Sequence, residues 1–357
     1  MRLPCDDEKI NYPKFCEMVD AFLENGFNYF DTARGYHDGQ SETALRECLV
    51  KRYPRESFIL TNKLSPSFFE KAEDIAPYFE SQLEECGVEY FDFYLMHCQN
   101  SNLFEKYKKC RAYEQAMKFK EDGKIKHFGI SFHDKAQVLD KILTEYPQIE
   151  VVQIQFNYAD YDDPTVESRK CYEVCRKHGK AVIVMEPVKG GALVKLPDNA
   201  KKVLEDLKGG SLASYAIRFA AGFDGVMMVL SGMGDMDMLT DNMSYMKDFQ
   251  PLEDFEAEAL DKVCEILHSQ QLIKCTECRY CVAGCPKQIL IPKLFACFNG
   301  KKLWNSWVYA ADYGTYTRNN GKASDCIGCG KCEDACPQKL EIRELLKQVA
   351  AEFEKKQ

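Results

Sequence analysis

The sequence contains no long hydrophobic run and no excess of basic charge. No apolar stretch approaches the roughly 18 residues that a membrane-spanning helix needs. The first residues, MRLPCDDEKINYP, lack the apolar core of a signal peptide. The net charge is −9 at pH 7, so the chain as a whole does not attract nucleic acid or anionic lipid. We therefore expect a cytoplasmic protein without nucleic-acid or membrane partners.

From about residue 26 to residue 231, short apolar runs alternate with helical patterns. Buried strands that alternate with helices form parallel sheets, and this number of repeats favours a (β/α)8 TIM barrel. The seven predicted strands are Asn28–Phe30, Phe58–Thr61, Phe91–Met96, His127–Ile130, Val151–Phe156, Ala181–Met185 and Val226–Leu230. Because a helical pattern precedes the first of them, that strand should be the second of eight. The first strand of the barrel is apparently truncated, and only residues 1–4 remain of it.

Three ionisable residues stand at strand ends, which is where the chemistry of such barrels lies. They are Asp31, Lys63 and His97, and Tyr36 follows in the loop after Asp31. A free phenol has a pKa near 10 and is a poor proton donor at neutral pH. A lysine ammonium near its oxygen would lower that pKa, and a carboxylate would keep the lysine charged and oriented. The histidine could then donate a hydrogen bond to a carbonyl oxygen.

At these positions the sequence resembles the aldo-keto reductase family. The resemblance rests on FDTARGYHDGQSE, TNK, LMH and GISFHD, which occur in that order between about residues 10 and 245. It implies that the catalytic tetrad of the family falls on Asp31, Tyr36, Lys63 and His97. It further implies that a nicotinamide reduces a small carbonyl or quinone-like substrate while Tyr36 supplies the proton.

The resemblance also marks residues for the nicotinamide cofactor. Ser131 and Gln153 match the family's carboxamide-binding positions, whereas the Asn that follows the serine in the family is Phe132 here. The glycine-rich stretch VKGGALVKL after Glu186 is suitably placed for a pyrophosphate, although a plain turn explains it as well. The other candidates around the dinucleotide are Ser231, Gly232, Met238 and Asn242.

The choice between NAD(H) and NADP(H) can be argued from the loop after the last strand. In this family, NADP-dependent members place Lys or Arg there for the 2′-phosphate. Here Asp235, Asp237 and Asp241 occupy the region, and no basic residue occurs from Val226 to Met246. A dianionic phosphate would meet only like charge in this region. We therefore expect the cofactor to be NAD(H) or NADP(H), with NAD(H) favoured.

Cysteine is abundant, with 18 residues concentrated towards the C-terminus. Eight of them form two C-x2-C-x2-C-x3-C-P runs, which are the bacterial two-cluster ferredoxin signature. In such modules the fourth cysteine of each run ligates the other cluster. We assign one [4Fe–4S] cluster to Cys275, Cys278, Cys281 and Cys336, and the other to Cys326, Cys329, Cys332 and Cys285. Zinc knuckles would use paired ligands and leave cysteines over.

The two patterns predict two domains and leave three functions open. We expect an aldo-keto reductase-like TIM barrel over residues 1–251 and a small, mostly helical ferredoxin-like domain over residues 252–357. In the first function the barrel reduces a carbonyl with NAD(P)H, and the clusters are structural or contact a redox partner such as a ferredoxin. In the second the clusters deliver electrons to a substrate bound in the barrel, and the tetrad supplies protons. In the third the chain is an electron-transfer protein, and the barrel is a scaffold and not a nicotinamide reductase.

Overall fold

The computed structural model describes residues 2–7, 9–164, 166–269, 273–275 and 277–354. The chain divides into two compact units. The first unit comprises Met1–Asp162, Val166–Gly190 and Gly210–Asp254, and the second comprises Asp163–Thr165, Gly191–Gly209 and Phe255–Gln357. The second unit thus includes two short segments from within the first 251 residues.

The first unit is built around a sheet of seven parallel strands that follow one another in chain order. They are β3 (Tyr29–Asp31), β4 (Ile59–Leu64), β5 (Phe91–Gln99), β6 (Ile125–Phe132), β7 (Val151–Gln155), β8 (Ala181–Met185) and β9 (Val226–Val229). The seven predicted strands are confirmed, with ends that differ by at most three residues. A separate antiparallel hairpin, β1 (Cys5–Asp6) and β2 (Lys9–Ile10), precedes them.

Within the described residues the sheet is a curled half-barrel with two edges, because no pairing joins β9 to β3. Residues 2–4 lie at the place where these edges face each other. Arg2 Nη2 donates to the carbonyl oxygen of Gly190, in the loop after β8. The Leu3 N–H donates to His37 Nε2, in the loop after β3. Residues 2–4 of the expected remnant of the first strand form no strand, and its first residue, Met1, lies outside the described residues.

Helices connect the strands of the sheet. Those described in the first unit are α1 (Tyr12–Glu24), α2 (Gln40–Leu45), α3 (Ala72–Cys86), α4 (Ser101–Lys109), α5 (Ala112–Glu121), α6 (Ala136–Glu145), α7 (Ser168–Lys177), α9 (Leu212–Ala221) and α10 (Met236–Met246). Helix α8 (Asp198–Glu205) belongs to the second unit. In β8, Val182, Ile183 and Val184 are all fully buried, as expected for a strand that is covered on both faces.

The second unit is helical. Its remaining helices are α11 (Asp254–Ser269), α12 (Tyr280–Ala283), α13 (Ile291–Trp304), α14 (Val308–Thr317), α15 (Lys331–Asp334) and α16 (Ile342–Phe353). Its core combines apolar residues of α13 and α16, such as Leu294, Phe295 and Leu346, with cysteines of both runs. Among the described residues, no helix has the length and apolar character required to cross a bilayer.

Gly129 is the point of closest approach between β6 and its neighbours. A Cβ atom added there would lie 2.6 Å from the Val151 backbone oxygen and 2.7 Å from Leu95 Cδ2. We expect Gly129→Ala to lower the free energy of unfolding by about 1–3 kcal/mol, because the strand backbone must move to relieve the overlap. Urea denaturation of anaerobically prepared protein, followed by circular dichroism, measures this change.

Gly35→Ala is the matched control, because a Cβ at Gly35 meets nothing within 4 Å. Equal stability of the two variants would contradict the close packing of β6.

Candidate active site and cluster sites

The carboxyl ends of β3, β4 and β5 bring three of the four predicted catalytic side chains together. Asp31 is the last residue of β3, Lys63 lies near the end of β4, and His97 lies near the end of β5. Parallel pairing places these ends at one edge of the sheet, since Asp31 pairs with Thr61 and Lys63 pairs with Leu95. The loop after β3 adds Tyr36. The structure therefore assembles Asp31, Tyr36, Lys63 and His97 in one site.

Lys63 is fully buried, with a side-chain exposure of 0%. Its Nζ donates to Asp31 Oδ1 at 2.5 Å and to the Thr32 carbonyl oxygen at 2.9 Å. Burial by itself would lower the pKa of Lys63, but the attraction of the Asp31 carboxylate outweighs it and leaves the pKa above its usual value. The ammonium is therefore charged at physiological pH.

Tyr36 lies over this ammonium, with Lys63 Nζ 5.0 Å from the centre of its ring. Burial raises the pKa of Tyr36, and the opposing effect of the Lys63 ammonium is too small to reverse that shift. The sequence predicted that lysine would lower the pKa of Tyr36, whereas in the structure this pKa is above its usual value. Desolvation of the phenolate is the stronger effect, and the phenol carries its proton at neutral pH.

His97 faces Tyr36 edge-on, with ring centres 6.0 Å apart. Its Nδ1 is 2.7 Å from Ser65 Oγ. Burial and the nearby Lys63 charge lower the pKa of His97 well below its usual value, so the imidazole is neutral. If Ser65 donates its hydroxyl proton to Nδ1, the proton of the ring is on Nε2, which is then a hydrogen-bond donor.

Ser131 and Gln153 lie side by side on paired strands, β6 and β7. Ser131 Oγ accepts the Cys98 N–H at 2.9 Å, which leaves the hydroxyl proton available to a ligand. Gln153 is 4% exposed, and its Oε1 has no hydrogen-bond partner among the residues that the structure describes. Phe132 is buried in the hydrophobic core, so the family's third carboxamide position is not available here.

The remaining predicted cofactor residues lie after β9. Asn242 Nδ2 donates to Ser231 Oγ at 2.7 Å, which ties the loop to α10. Met238 is half exposed in the first turn of α10, and its N–H is capped by Asp235 Oδ1. Gly232 packs against the side chain of Arg2.

Two residues near the site were not found from the sequence. Ser65 lies two residues after Lys63, directly after the end of β4, so the alternation of side chains along the strand contained a signal for it. Arg2 gave no signal, because 188 residues separate it from Gly190.

The cysteine runs line two cavities in the second unit. One is lined by Cys275, Cys278, Cys281 and Cys336. The other is lined by Cys285, Cys326, Cys329 and Cys332. Each cavity thus combines three cysteines of one run with the fourth of the other. Within the described residues, no three His, Cys, Asp or Glu side chains form a group suited to a single metal ion. Four thiols around a cavity have the donor chemistry that an iron–sulfur cubane requires.

Comparison with known protein families identifies the family of each of two parts of the chain. Residues 1–265 match the model of the aldo/keto reductase family, and residues 274–340 match that of a 4Fe-4S dicluster domain. The NADH-specific methylglyoxal reductase of Escherichia coli is 25% identical over 195 residues, which cover 49% of this chain and 57% of that protein. The chain thus spans little more than half the length of that relative. An uncharacterized oxidoreductase of Bacillus subtilis is 22% identical over 64% of this chain and 81% of its own length.

Solved structures show the same fold. The holo form of an aldo-keto reductase from Bacillus halodurans has a TM-score of 0.59 and 22% identity, and the match covers 74% of this chain and 91% of that one. An aldo/keto reductase from Klebsiella pneumoniae, in complex with NADP and acetate, has a TM-score of 0.58 and 18% identity, with 71% and 85% covered. The chain belongs to the aldo/keto reductase family of oxidoreductases and carries a 4Fe-4S dicluster domain in its C-terminal part.

Proposed function

We propose that this protein is an iron–sulfur oxidoreductase that reduces a small carbonyl compound with NADH, with Tyr36 as the proton donor. The observation that carries the proposal is the buried ammonium of Lys63, held between Asp31 and the ring of Tyr36 with His97 opposite. A buried ammonium can stabilise an oxygen that becomes negative during the reduction of a carbonyl.

The proposed roles follow from the protonation states. Neutral His97 donates from Nε2 to the carbonyl oxygen of the substrate and orients it. Tyr36 transfers its phenolic proton to that oxygen, and the Lys63 ammonium stabilises the phenolate that remains. Asp31 keeps the ammonium in place. Reduced nicotinamide, when bound, supplies the hydride.

The residues around Gln153 fit a nicotinamide carboxamide. An amide group offers N–H donors and a carbonyl acceptor, and the site offers the complement: the unpaired Oε1 of Gln153 and the hydroxyl proton of Ser131. A buried acceptor without a partner is unfavourable unless a ligand supplies the donor. We further propose Ser231, Gly232, Met238 and Asn242 for the rest of the dinucleotide.

NADH is the proposed reductant for electrostatic reasons. Asp235 and Asp237 stand at the start of α10, where a 2′-phosphate would have to be accommodated. The name of the Escherichia coli relative specifies NADH and methylglyoxal, and we propose methylglyoxal as the first test substrate.

Two [4Fe–4S] clusters are proposed for the second unit, with the ligand sets that line the two cavities. When bound, such clusters supply one-electron transfer.

A second candidate function is electron transfer to a substrate or partner protein such as a ferredoxin. It is favoured by Cys278 and Cys329, which are exposed, so that one ligand in each cavity lies at the protein surface. Substrate reduction that proceeds with a reduced ferredoxin and fails with NADH would support this candidate over the first.

Tyr36→Phe tests the proposed proton donor. We expect kcat for methylglyoxal reduction by NADH to fall by about 10²- to 10⁴-fold, because the variant has no proton to transfer. NADH affinity and iron content should stay at the wild-type values, since the phenyl ring retains its packing. The assay is anaerobic NADH oxidation followed at 340 nm.

The matched control is Tyr90→Phe, which removes a phenol immediately before β5, at the opposite end of the strand from His97. If both variants keep wild-type kcat, Tyr36 is not the donor.

The protonation states predict the pH dependence of kcat. The pKa of His97 lies well below its usual value and that of Tyr36 lies above its usual value. Between about pH 6 and pH 9 the imidazole therefore stays neutral and the phenol stays protonated, so kcat should be flat. A decline in kcat with an apparent pKa between 6 and 7 would show that His97 titrates in the normal range, contrary to its environment here.

The crossed cysteine ligands predict an unusual pattern of iron loss. Cys281→Ser and Cys336→Ser should each remove about half of the iron, and the double variant should lose no more than either, because both remove the same cluster. Cys281→Ser combined with Cys332→Ser should remove nearly all of it. Iron analysis and EPR of the reduced proteins measure this. Complete iron loss in the Cys281/Cys336 double variant would contradict the crossed assignment.

A further inference from the structure

Arg2 contacts the loops that follow the neighbouring strands β8 and β9, of which β9 is one edge of the half-barrel. Its Nη2 donates to the Gly190 carbonyl oxygen at 2.8 Å. Its Cγ and Cδ atoms lie 3.2 Å from the position that a Cβ would take at Gly232. The guanidinium thus sits at the glycine-rich loop after β8, and its aliphatic stem crosses the loop after β9. Both loops are at the carboxyl end of the sheet, as are Lys63 and His97.

The backbone next to Arg2 is anchored. Leu3 is 5% exposed, and its N–H donates to His37 Nε2 at 3.0 Å. The Pro4 carbonyl oxygen accepts the Asn11 N–H at 2.8 Å. These contacts attach Leu3 to the loop after β3 and Pro4 to Asn11, directly after the hairpin. The backbone next to Arg2 is therefore held in a defined position, although the Arg2 side chain is exposed.

The charged groups around Arg2 determine whether another group could compensate an anionic ligand at these loops. The N-terminus of α10, which could otherwise attract an anion, is capped by the carboxylate of Asp235. Asp241 accepts a hydrogen bond from Ser211, and Glu186 lies close to Gly190. Lys189, which directly precedes Gly190, is paired with the buried Asp160, so an anionic ligand at the two loops would rely on Arg2 for compensation of its charge. A guanidinium has five N–H donors, of which the bond to Gly190 uses one.

We propose that Arg2 binds the pyrophosphate of the dinucleotide. This inference rests on the proposed function, since it assigns a contact to the same cofactor. Arginine presents paired N–H groups that match phosphate oxygens, and the positive φ of +64° at Gly190 allows the backbone to approach closely. Nη2 of Arg2 is bonded at Gly190, whereas Nε and the aliphatic stem lie next to Gly232. Because a 2′-phosphate would lie next to the acidic start of α10, the pyrophosphate is favoured as the ligand of Arg2.

The test is the affinity of the full-length, cluster-loaded protein for ADP-ribose, NADH and NADPH, measured by anaerobic calorimetry. A C-terminal affinity tag leaves the residues around Arg2 unaltered. We expect Arg2→Ala to weaken all three ligands by about 10- to 100-fold, because each has the pyrophosphate. Arg2→Lys should recover part of the loss. Lys51→Ala removes the same charge from a surface lysine paired with Glu47 and should leave all three affinities unchanged.

Two further measurements separate a phosphate contact from a structural role. Rising ionic strength should weaken ADP-ribose binding to the wild type more than to Arg2→Ala, since the ion pair is screened by salt. Gly232→Ala should mimic Arg2→Ala in part, because the new methyl group must displace the arginine stem.

The possible results are distinct. Unchanged affinities in Arg2→Ala, or a loss confined to NADPH, would overturn the pyrophosphate assignment. Wild-type protein that binds none of the three ligands would overturn both this inference and the proposed use of NADH. Wild-type protein that binds ADP-ribose through Arg2 but does not oxidise NADH with any carbonyl would leave the inference intact and refute the proposed function alone.

Discussion

The site depends on one buried ion pair, between Lys63 and Asp31. A lysine without exposed surface is tolerated only when its charge is compensated, and removing one partner of a buried pair typically costs about 3–5 kcal/mol. Asp31 and the Thr32 carbonyl oxygen provide that compensation. The positive charge of Lys63 acts on two neighbouring groups. Together with burial it lowers the pKa of His97, and it opposes the rise that burial causes in the pKa of Tyr36. Burial and this charge together keep His97 neutral, whereas burial keeps Tyr36 protonated in spite of the charge.

Polar contacts behind β4 keep this lysine in register. Asn62 Nδ2 donates to the buried Glu42 carboxylate, and Asn62 Oδ1 accepts the Lys63 N–H and a Gln82 amide proton. Gln82 also donates to the Lys63 carbonyl oxygen. These bonds hold the backbone of Lys63 from the outside of the sheet while Asp31 holds its side chain from the inside. A strand with a charged residue at its end is therefore fixed on both faces.

The cofactors proposed for the two units differ in electron chemistry. A nicotinamide transfers two electrons as hydride, whereas iron–sulfur clusters exchange one electron at a time. In the second unit, the fourth cysteine of each run lines the cavity of the other run, so each cavity is formed by residues of both runs. In the first unit, the ends of parallel strands carry the reactive groups, and loops after β8 and β9 frame the opening next to residues 2–4.

Much of this protein is determined by its sequence alone. Apolar runs predicted all seven strands because most strand residues are buried, although β9 is only partly buried. The fixed spacing of the eight cysteines marked the dicluster domain. The tetrad could be predicted because strand ends of a parallel sheet meet at one edge. Other features required the tertiary structure. The pKa of Tyr36 depends on the balance between burial and the distance to Lys63, which no motif contains. The cation at the loops after β8 and β9 is Arg2, which is far from them in sequence and reaches them only through tertiary contacts with Gly190 and Gly232. Local patterns specify elements, whereas contacts between distant residues arise only when those elements pack.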